Sequence, residues 1–554
     1  MLVCELISRP YANMSICDDG PYILMARTMA TTGHVVYNGW AAPMLGWQLY
    51  LGAAFIKLFG FSFTTVRSST LLVATALAFV LQRTLVRAGI TDRNATIGTL
   101  ALVLSPLYLM LSVTFMTDIF GLFAIVICFY GCLRALQITS DRASIAWLCF
   151  AVVTNGLCGT SRQIAWLGTL VIVPSTLWLL RSRRRVFLAG AAVTIAGALF
   201  IFACMEWLKH QPYVVPEHLL PKSFPVLQIV RHLTLFFLDA PFLILPLFAV
   251  FLPVLWRRNP RRSFIDVVIL CVVYAIFSIH RGYPFLMEPL YGDWVDPHGF
   301  YADSLLKGIQ PIYLPNWLRL LFTIASLGGL LGLIGSFFRR NQPTRAAVPS
   351  HPISWNQLAA LLVPFAVAYI ILLLPRVADG TSFDRYLLPL LAIASIPLVR
   401  HYQETIRQHM PLAGALLVVL MAIYAVTTTH NMFSFYRARV ALASHLAANG
   451  IPAASVDNGW EYNIDEELQH APAVNFPNMA FPANAYVPQP PPPPGPCQMK
   501  WYDYTPHIHA IYGVSFDPTA CFGPAPFAPV HYSRWPQRTP GSLYVVRYLP
   551  SARQ

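Results

Sequence analysis

Residues 69–81 read STLLVATALAFVL, an uninterrupted apolar run without a charged side chain. Two further runs have the same character, LCFAVVTNGLCG at 148–159 and LAGALLVVLMAIYAV at 412–426. Each is the centre of a segment long enough to cross a bilayer as a helix, which takes about 20 mostly apolar residues. The mean hydropathy is +0.55, and 11% of the 554 residues are charged, against roughly 25% in soluble proteins. The sequence therefore predicts a mainly α, polytopic helical membrane protein.

The apolar runs divide the chain into three parts. Residues 1–63 are predicted to be an external loop with amphipathic surface helices, residues 64–429 a transmembrane helical domain, and residues 430–554 a small C-terminal α/β domain. About a dozen transmembrane helices are predicted in the central part. Their ranges are 64–86, 95–113, 117–137, 144–161, 164–180, 187–208, 232–256, 264–280, 316–337, 357–375, 386–399 and 411–429.

The formal net charge is +14, and the arginines lie mainly in short loops between the apolar runs. Examples are RSRRR at 181–185 and RRNPRR at 257–262. Cytoplasmic loops of membrane proteins are enriched in Lys and Arg, so this placement indicates membrane topology and not a nucleic-acid partner. The first loop, the loop at 375–385 and the C-terminal domain are then predicted to share the opposite, outer side.

Two helices are predicted in the first loop, at 21–33 and at 42–60, each ended by a glycine. Both are expected to lie along the membrane surface. The aromatic residues beside them, Trp40 among them, either stack on a ligand or anchor the chain at the membrane interface, and anchoring is the commoner role. No apolar run precedes Asp18, so either this loop inserts in an unusual N-out manner or a first helix precedes Met1. The second interpretation is favoured.

The C-terminal region has a different composition from the rest of the chain. Its sequence predicts a helix at 435–450, strands at 453–460 and 541–549, and a proline-rich segment at 477–496. Its cysteines are Cys497 and Cys521. Because the outer compartment permits disulfides, we expect these two to be bonded.

Adjacent carboxylates, Asp18 and Asp19, stand just before the first surface helix. Either they cap that helix by accepting hydrogen bonds from its free backbone N–H groups, or one of them is a general base that takes a proton from a hydroxyl. A third acid, Asp118, is predicted at the outer end of a membrane helix, where the helix dipole favours it. Acids at a membrane boundary are costly, so a functional role is the default interpretation.

The order of these features resembles the GT-C superfamily of membrane glycosyltransferases. The acidic pair is followed by FGFSFTTVR at 59–67, SPLYLMLSVTFMTD at 105–118 and FDRYLLPLLA at 383–392. The nearest resemblance is to bacterial glycosyltransferase family 39, which is related to protein O-mannosyltransferases and lipid A aminoarabinose transferases. It implies a sugar donor carried on a polyprenyl phosphate, and a lipid, glycan or protein acceptor. It also implies inverting transfer on the periplasmic face of the bacterial inner membrane.

The resemblance assigns roles to individual residues. Asp18 matches the first acid of the family's pair, the expected base, and Asp19 the second, which is usually Glu. Asp118 matches the second acidic site. Arg385, with Tyr386, matches the RY element, and a guanidinium can pair bidentately with the phosphate leaving group.

Alternatives remain for two arginines. Arg385 is either a phosphate ligand or a structural partner of a neighbouring aspartate. Arg162, in GTSRQIAW at 159–166, either binds the donor phosphate or is a boundary residue that extends toward the membrane surface. The aminoarabinose branch carries charged residues where this chain has Ala41 and Ala42, which argues against that sugar and against that branch's metal-assisted site. The resemblance fixes no cofactor and leaves room for a divalent cation.

Two other functions compete with glycosyl transfer. A transporter or flippase of lipid-linked sugars should carry its charges near the bilayer midplane and contain internal repeats, whereas this chain places its acids at one boundary and has no evident repeat. An inactive scaffold should not need the acids that this chain retains.

Overall fold

The computed structural model describes most of the chain, with several gaps. The described residues are 1–40, 44–216, 223–258, 287–290, 292–300, 306–337, 353–479, 482–492 and 494–550, with the single positions 265, 268 and 272. Most of the predicted helix at 264–280 lies outside these residues, as do Ala41 and Ala42.

The described part is mainly α-helical. Its first helices are α1 (Leu2–Ser8), α2 (Asp19–Thr32), α3 (Gly46–Phe59), α4 (Phe63–Arg87), α5 (Asp92–Val103), α6 (Pro106–Ser112), α7 (Thr117–Gln137), α8 (Asp141–Cys158) and α9 (Val173–Leu179). The others are α10 (Arg184–Lys209), α11 (Val226–Leu243), α12 (Leu245–Ala249), α13 (Leu252–Arg258), α14 (Asn316–Phe337), α15 (Trp355–Ala378), α16 (Leu388–Thr405), α17 (Leu412–Ala448) and α18 (Trp460–His470).

Eight helices of the described residues are long and apolar enough to cross a membrane, or nine if one bent pair counts as a span. They are α4, α7, α8, α10, α11, α14, α15 and α17. The fold is thus that of a polytopic helical membrane protein, as predicted, but fewer than a dozen uninterrupted spans are seen in the described part.

Proline accounts for much of that difference. The predicted span at 95–113 is the bent pair α5 and α6, which meet at 69°. Pro106 begins α6, and the Ser105 side chain accepts a hydrogen bond from the Tyr108 N–H. Pro lacks an N–H and cannot continue a helix without strain, so it favours a new start. The predicted spans at 164–180 and 232–256 are likewise divided into shorter pieces.

The last spanning helix of the described residues, α17, crosses the predicted domain boundary at residue 430. Helices predicted separately at 411–429 and 435–450 form the single 37-residue helix α17. The joining residues contain no Gly or Pro, so nothing in the local sequence ends the helix. The C-terminal region is therefore joined to the bundle by a continuous helix, and we call the end of the bundle against which it packs the tail side.

The C-terminal region contains a four-stranded sheet and α18. Its strands are β1 (Val456–Asp457), β2 (Tyr512–Ser515), β3 (Val530–Tyr532) and β4 (Gly541–Arg547), in the order β1-β2-β4-β3. β1 pairs with β2 in parallel, and the other pairs are antiparallel. A disulfide joins Cys497 to Cys521, whose Cα atoms are 5.1 Å apart.

Helix α2 is enclosed by other parts of the chain, and its expected position along the membrane surface stays a prediction. It packs against α3, α4 and α18, and Tyr22, Ile23 and Ala26 are buried. Its C-terminal end is as predicted, since Gly33 adopts a φ of +76°, which a residue with a Cβ rarely adopts. This enclosure places the start of α2 where the bundle meets the C-terminal region. A helix upstream of Met1 stays a prediction.

Candidate active site

Arg385 is the centre of a group of carboxylates on the tail side. It lies in the 3-10 turn Asp384–Leu387 that leads into α16, and only 5% of the residue is exposed. Its Nη2 is 3.2 Å from Asp18 Oδ2, and its Nη1 is 3.4 Å from Asp293 Oδ2. The three residues are far apart in sequence, so the fold itself assembles this group.

A second ion pair adjoins the first. Arg162 Nη1 lies 2.7 Å from Asp118 Oδ1 and donates to Thr117 Oγ1 at 2.9 Å. Asp118 Oδ2 is 3.9 Å from Arg385 Nε, which links the two pairs. Gly121, one turn further along α7, makes room for the arginine, because a Cβ there would come within 2.8 Å of Arg162 Cδ. Asp118 therefore stands at the start of α7 between two guanidinium groups.

These groups border a cavity of about 420 Å³. Its lining residues are Asp18, Tyr22, Met116, Thr117, Arg162, Gln163, Ile164, Leu372, Leu373, Arg376, Thr381, Phe383, Arg385 and Tyr386. One carboxylate and three arginines thus face the same space, whose other walls are partly apolar. Asp118 stands behind Arg162, with its side chain 2% exposed.

These positions describe the surroundings of the two arginines, whose role as phosphate ligands stays a prediction. Arg162 faces the cavity and pairs with Asp118, so it is not a boundary residue extended toward the membrane surface. Arg385 pairs with Asp18 and Asp293. Its neighbour Asp384 instead accepts a hydrogen bond from the Val295 N–H at 2.8 Å.

Asp19 has a different environment from Asp18. It is fully buried, and Arg67 on α4 donates to it from Nε at 2.7 Å and from Nη2 at 3.0 Å. Its oxygens also accept from the backbone N–H groups of Ile16 and Phe115. The expectation that Asp19 caps α2 is wrong, because these bonds hold the loop before α2 to α4 and to the residues before α7. Asp18, at the N-cap position, makes no side-chain cap either.

The Asp18 carboxylate lies between opposing influences. Burial raises its pKa above the ordinary value, while the Arg385 guanidinium and a hydrogen bond from Trp40 lower it. The Trp40 Nε1–H donates to Asp18 Oδ1 at 3.2 Å. Trp40 is buried, so its expected role as an interfacial anchor is wrong.

Sequence reasoning missed Asp293 and Trp40 as site residues. Asp293 lies in a loop rich in acids, and no local pattern distinguishes it from its neighbours. Trp40 follows a glycine in the first loop, where membrane-interface aromatics are common. As for metal ions, the described part of the chain contains no group of three or more His, Cys, Asp or Glu placed to hold one.

Comparison with known proteins gave matches among solved structures. Models of known protein families gave no match, and neither did curated protein sequences. The structure of ArnT from Cupriavidus metallidurans in the apo state has 15% sequence identity and a TM-score of 0.43, covering 100% of this chain and 97% of that one. ArnT bound to undecaprenyl phosphate has 14% identity and a TM-score of 0.44, with coverages of 100% and 98%.

An archaeal protein was also matched. The oligosaccharyltransferase AglB from Archaeoglobus fulgidus, in complex with an inhibitory peptide and a dolichol-phosphate, has 13% identity and a TM-score of 0.40. The alignment covers 92% of this chain and 63% of AglB.

Proposed function

We propose that this protein transfers a sugar from a polyprenyl-phosphate donor to an acceptor hydroxyl, with inversion at the anomeric carbon. The observation that carries the proposal is one cavity wall shared by the Asp18 carboxylate and the guanidinium groups of Arg162 and Arg385. Such a transfer needs a base for the attacking hydroxyl and cations for the departing phosphate. We place this site on the periplasmic side of a bacterial inner membrane, because the arginine-rich loops mark the opposite side.

In the proposed reaction, the acceptor oxygen forms a bond to the anomeric carbon as the bond from that carbon to the phosphate oxygen breaks. The hydroxyl proton passes to Asp18, and the negative charge that develops on the leaving phosphate is stabilised by Arg385 and Arg162. A single displacement of this kind inverts the anomeric configuration.

The environment of Asp18 suits a base. Burial raises the pKa of its carboxyl above the ordinary value, which strengthens it as a proton acceptor. Arg385 and the Trp40 N–H oppose that effect, which favours the ionised form that the reaction needs. The balance keeps a basic carboxylate available for the hydroxyl.

In this proposal, the lipid part of the donor lies along α15. Leu372 and Leu373 line the cavity one turn before Arg376, and Leu372 is 43% exposed. An isoprenoid chain lying on this apolar face would place its phosphate near the arginines. The Arg162 guanidinium lies over the ring of Tyr386, the residue after Arg385. Its Cζ atom is 5.1 Å from the centroid of that ring.

The test is transfer by purified protein supplied with radiolabelled polyprenyl-phosphate sugars and a membrane extract as the source of acceptor. We expect one donor to be consumed, and Asp18→Asn to slow its consumption by about 10²- to 10⁴-fold, the usual contribution of a general base. Asp92→Asn is the control, because Asp92 is exposed at the start of α5, where it accepts a hydrogen bond from Gln82 at 3.4 Å and lies 3.9 Å from Arg83. Full activity of Asp18→Asn would overturn the proposal.

A transporter or flippase is the competing function. The charged groups described above lie at one end of the bundle, at the starts of α2, α7 and α16, and not in the middle of spanning helices. This placement supports chemistry at a boundary. Movement of a fluorescent lipid-linked sugar across proteoliposomes, without its consumption, would favour transport instead.

A further inference from the structure

The C-terminal region contacts the segment that carries Trp40. Trp40 stacks on Trp460 of α18, with ring centroids 5.4 Å apart and planes at 20°. Phe476 and Tyr504, also from the C-terminal region, meet the same ring edge-on at 5.9 and 6.4 Å. The indole is therefore enclosed by three aromatic side chains that come from far along the chain.

The backbone beside Trp40 is held by the same region. The Val474 N–H donates to the Asn38 carbonyl at 2.8 Å. Gly39, which lies between Asn38 and Trp40, has a φ of +76°. A Cβ at this position would come within 2.5 Å of the Val474 carbonyl oxygen. Only glycine permits this approach. The backbone contact and the ring contacts fix both the position and the plane of the indole.

The fixed indole directs its N–H at the cavity carboxylate. Trp40 Nε1 donates to Asp18 Oδ1 at 3.2 Å, while the other oxygen, Oδ2, is 3.2 Å from Arg385 Nη2. Each carboxylate oxygen thus has its own donor, and the two donors together define the rotation of the carboxylate.

We propose that Trp40 is a positioning residue that orients the Asp18 carboxylate and favours its ionised form, and that the C-terminal region completes the active site by holding the Trp40 ring through Trp460. This inference rests on the proposed function, in which Asp18 is the base. It gives the C-terminal region a role in the chemistry itself.

The pH dependence of transfer provides the readout. A hydrogen bond to the charged form lowers the pKa of a carboxyl, so its loss should raise the pKa of Asp18 and move the acid limb of kcat/KM to higher pH. Burial raises the pKa values of the neighbouring Cys17 and Tyr22, which keeps both neutral over this limb. The charged or titratable side chains around the Asp18–Arg385 pair are Cys17, Asp19, Tyr22, Asp118, Arg162, Asp293 and Tyr386.

The decisive variant is Trp40→Phe, which keeps an aromatic ring for Trp460 and removes the N–H. We expect its acid limb to move up by about one pH unit, the size expected for a hydrogen bond to a charged group. Trp460→Leu should move the acid limb in the same direction, because the Trp40 indole loses the ring on which it stacks. Trp460→Phe, which keeps a ring at this position, should leave the limb at its wild-type pH. The double variant Trp40→Phe/Trp460→Leu should show no further shift than Trp40→Phe alone.

The measurement uses the radiolabelled polyprenyl-phosphate sugar that the wild-type protein consumes. Trp535→Leu is the matched control: it removes another tail indole, one stacked on His430 at 3.7 Å, and should leave the limb where it is. Unshifted limbs in both Trp40→Phe and Trp460→Leu would overturn this inference even if Asp18→Asn is inactive. An active Asp18→Asn would overturn the proposed function as well, so the two failures are distinguishable.

Discussion

Replacing Asp19 by Asn distinguishes the role predicted from the sequence, capping of α2, from the role seen in the structure, pairing with Arg67. If Asp19 only capped α2, Asn would substitute well, because Asn is as good an N-cap as Asp. In the structure, Asp19 is instead the counter-ion of Arg67, and the two side chains are 0% and 2% exposed. The substitution should then leave a buried guanidinium without its ion-pair partner.

The contacts of Arg67 set the expected magnitude. Besides its two bonds to Asp19, it donates to the carbonyls of Ala12 and Met14 at 2.9 and 2.7 Å. These carbonyls accept hydrogen bonds from the guanidinium but do not neutralise its positive charge. Removing one partner of a buried ion pair costs about 3–5 kcal/mol, so we expect Asp19→Asn to destabilise the fold by about that amount.

Equilibrium unfolding in mixed detergent micelles measures the effect. Asp141→Asn is the matched control, because Asp141 also pairs with an arginine, Arg183 at 2.6 Å, but its side chain is 43% exposed. Exposed pairs contribute about 0.2–1 kcal/mol. The double variant Asp19→Asn/Arg67→Met should cost less than the sum of the two single changes. A loss below about 1 kcal/mol for Asp19→Asn, equal to the control, would refute the reasoning.

Three further predictions concern Arg385, the disulfide of the C-terminal region and the membrane topology. Arg385→Lys should lower kcat/KM for transfer by about 10- to 100-fold, since one ammonium cannot replace guanidinium bonds to two carboxylates and a phosphate; Arg83→Lys, in an exposed pair, is the control, and equal activity of the two would contradict the assignment. Cys497→Ser should destabilise the C-terminal region by about 3 kcal/mol and speed tryptic cleavage at Lys500; unchanged cleavage would count against a stabilising disulfide. In intact cells, an impermeant maleimide should label Asn449→Cys but not Arg83→Cys, and the reverse pattern would invert the proposed topology.

The sequence predicted the long apolar helices well because their composition alone determines them. The runs at 117–137 and 316–337 coincide with α7 and α14, since a segment of that length and hydropathy has few alternatives to a spanning helix. Local breaks were harder to predict. Pro106 divides α5 from α6, whereas Pro364 and Pro375 are accommodated inside α15. Whether a proline interrupts a helix depends on the neighbouring packing, which sequence does not display.

Some of the residues that the fold gathers at the cavity could be recognised from the sequence, for a related reason. Charged residues at the ends of apolar runs are conspicuous, so Asp18, Asp118 and Arg385 were recognisable. Asp293 was not, because its loop contains several acids and only the fold decides which one approaches Arg385. Arg67 was equally hidden, since it ends the motif FGFSFTTVR as an ordinary basic residue and becomes a buried ion-pair partner only in three dimensions.

The different roles of Asp18 and Asp19 follow from the geometry of a helix start. Successive residues entering an α-helix are rotated by about 100° because a turn takes 3.6 residues, so neighbouring side chains there face different surroundings. Asp18, just outside α2, faces the cavity and Arg385. Asp19, the first residue of α2, faces the bundle and Arg67. The buried ion pair of Asp19 ties the start of α2 to α4 and so holds the Asp18 backbone in place. In the proposed reaction, this attachment keeps the Asp18 carboxylate in position while it takes up and releases a proton.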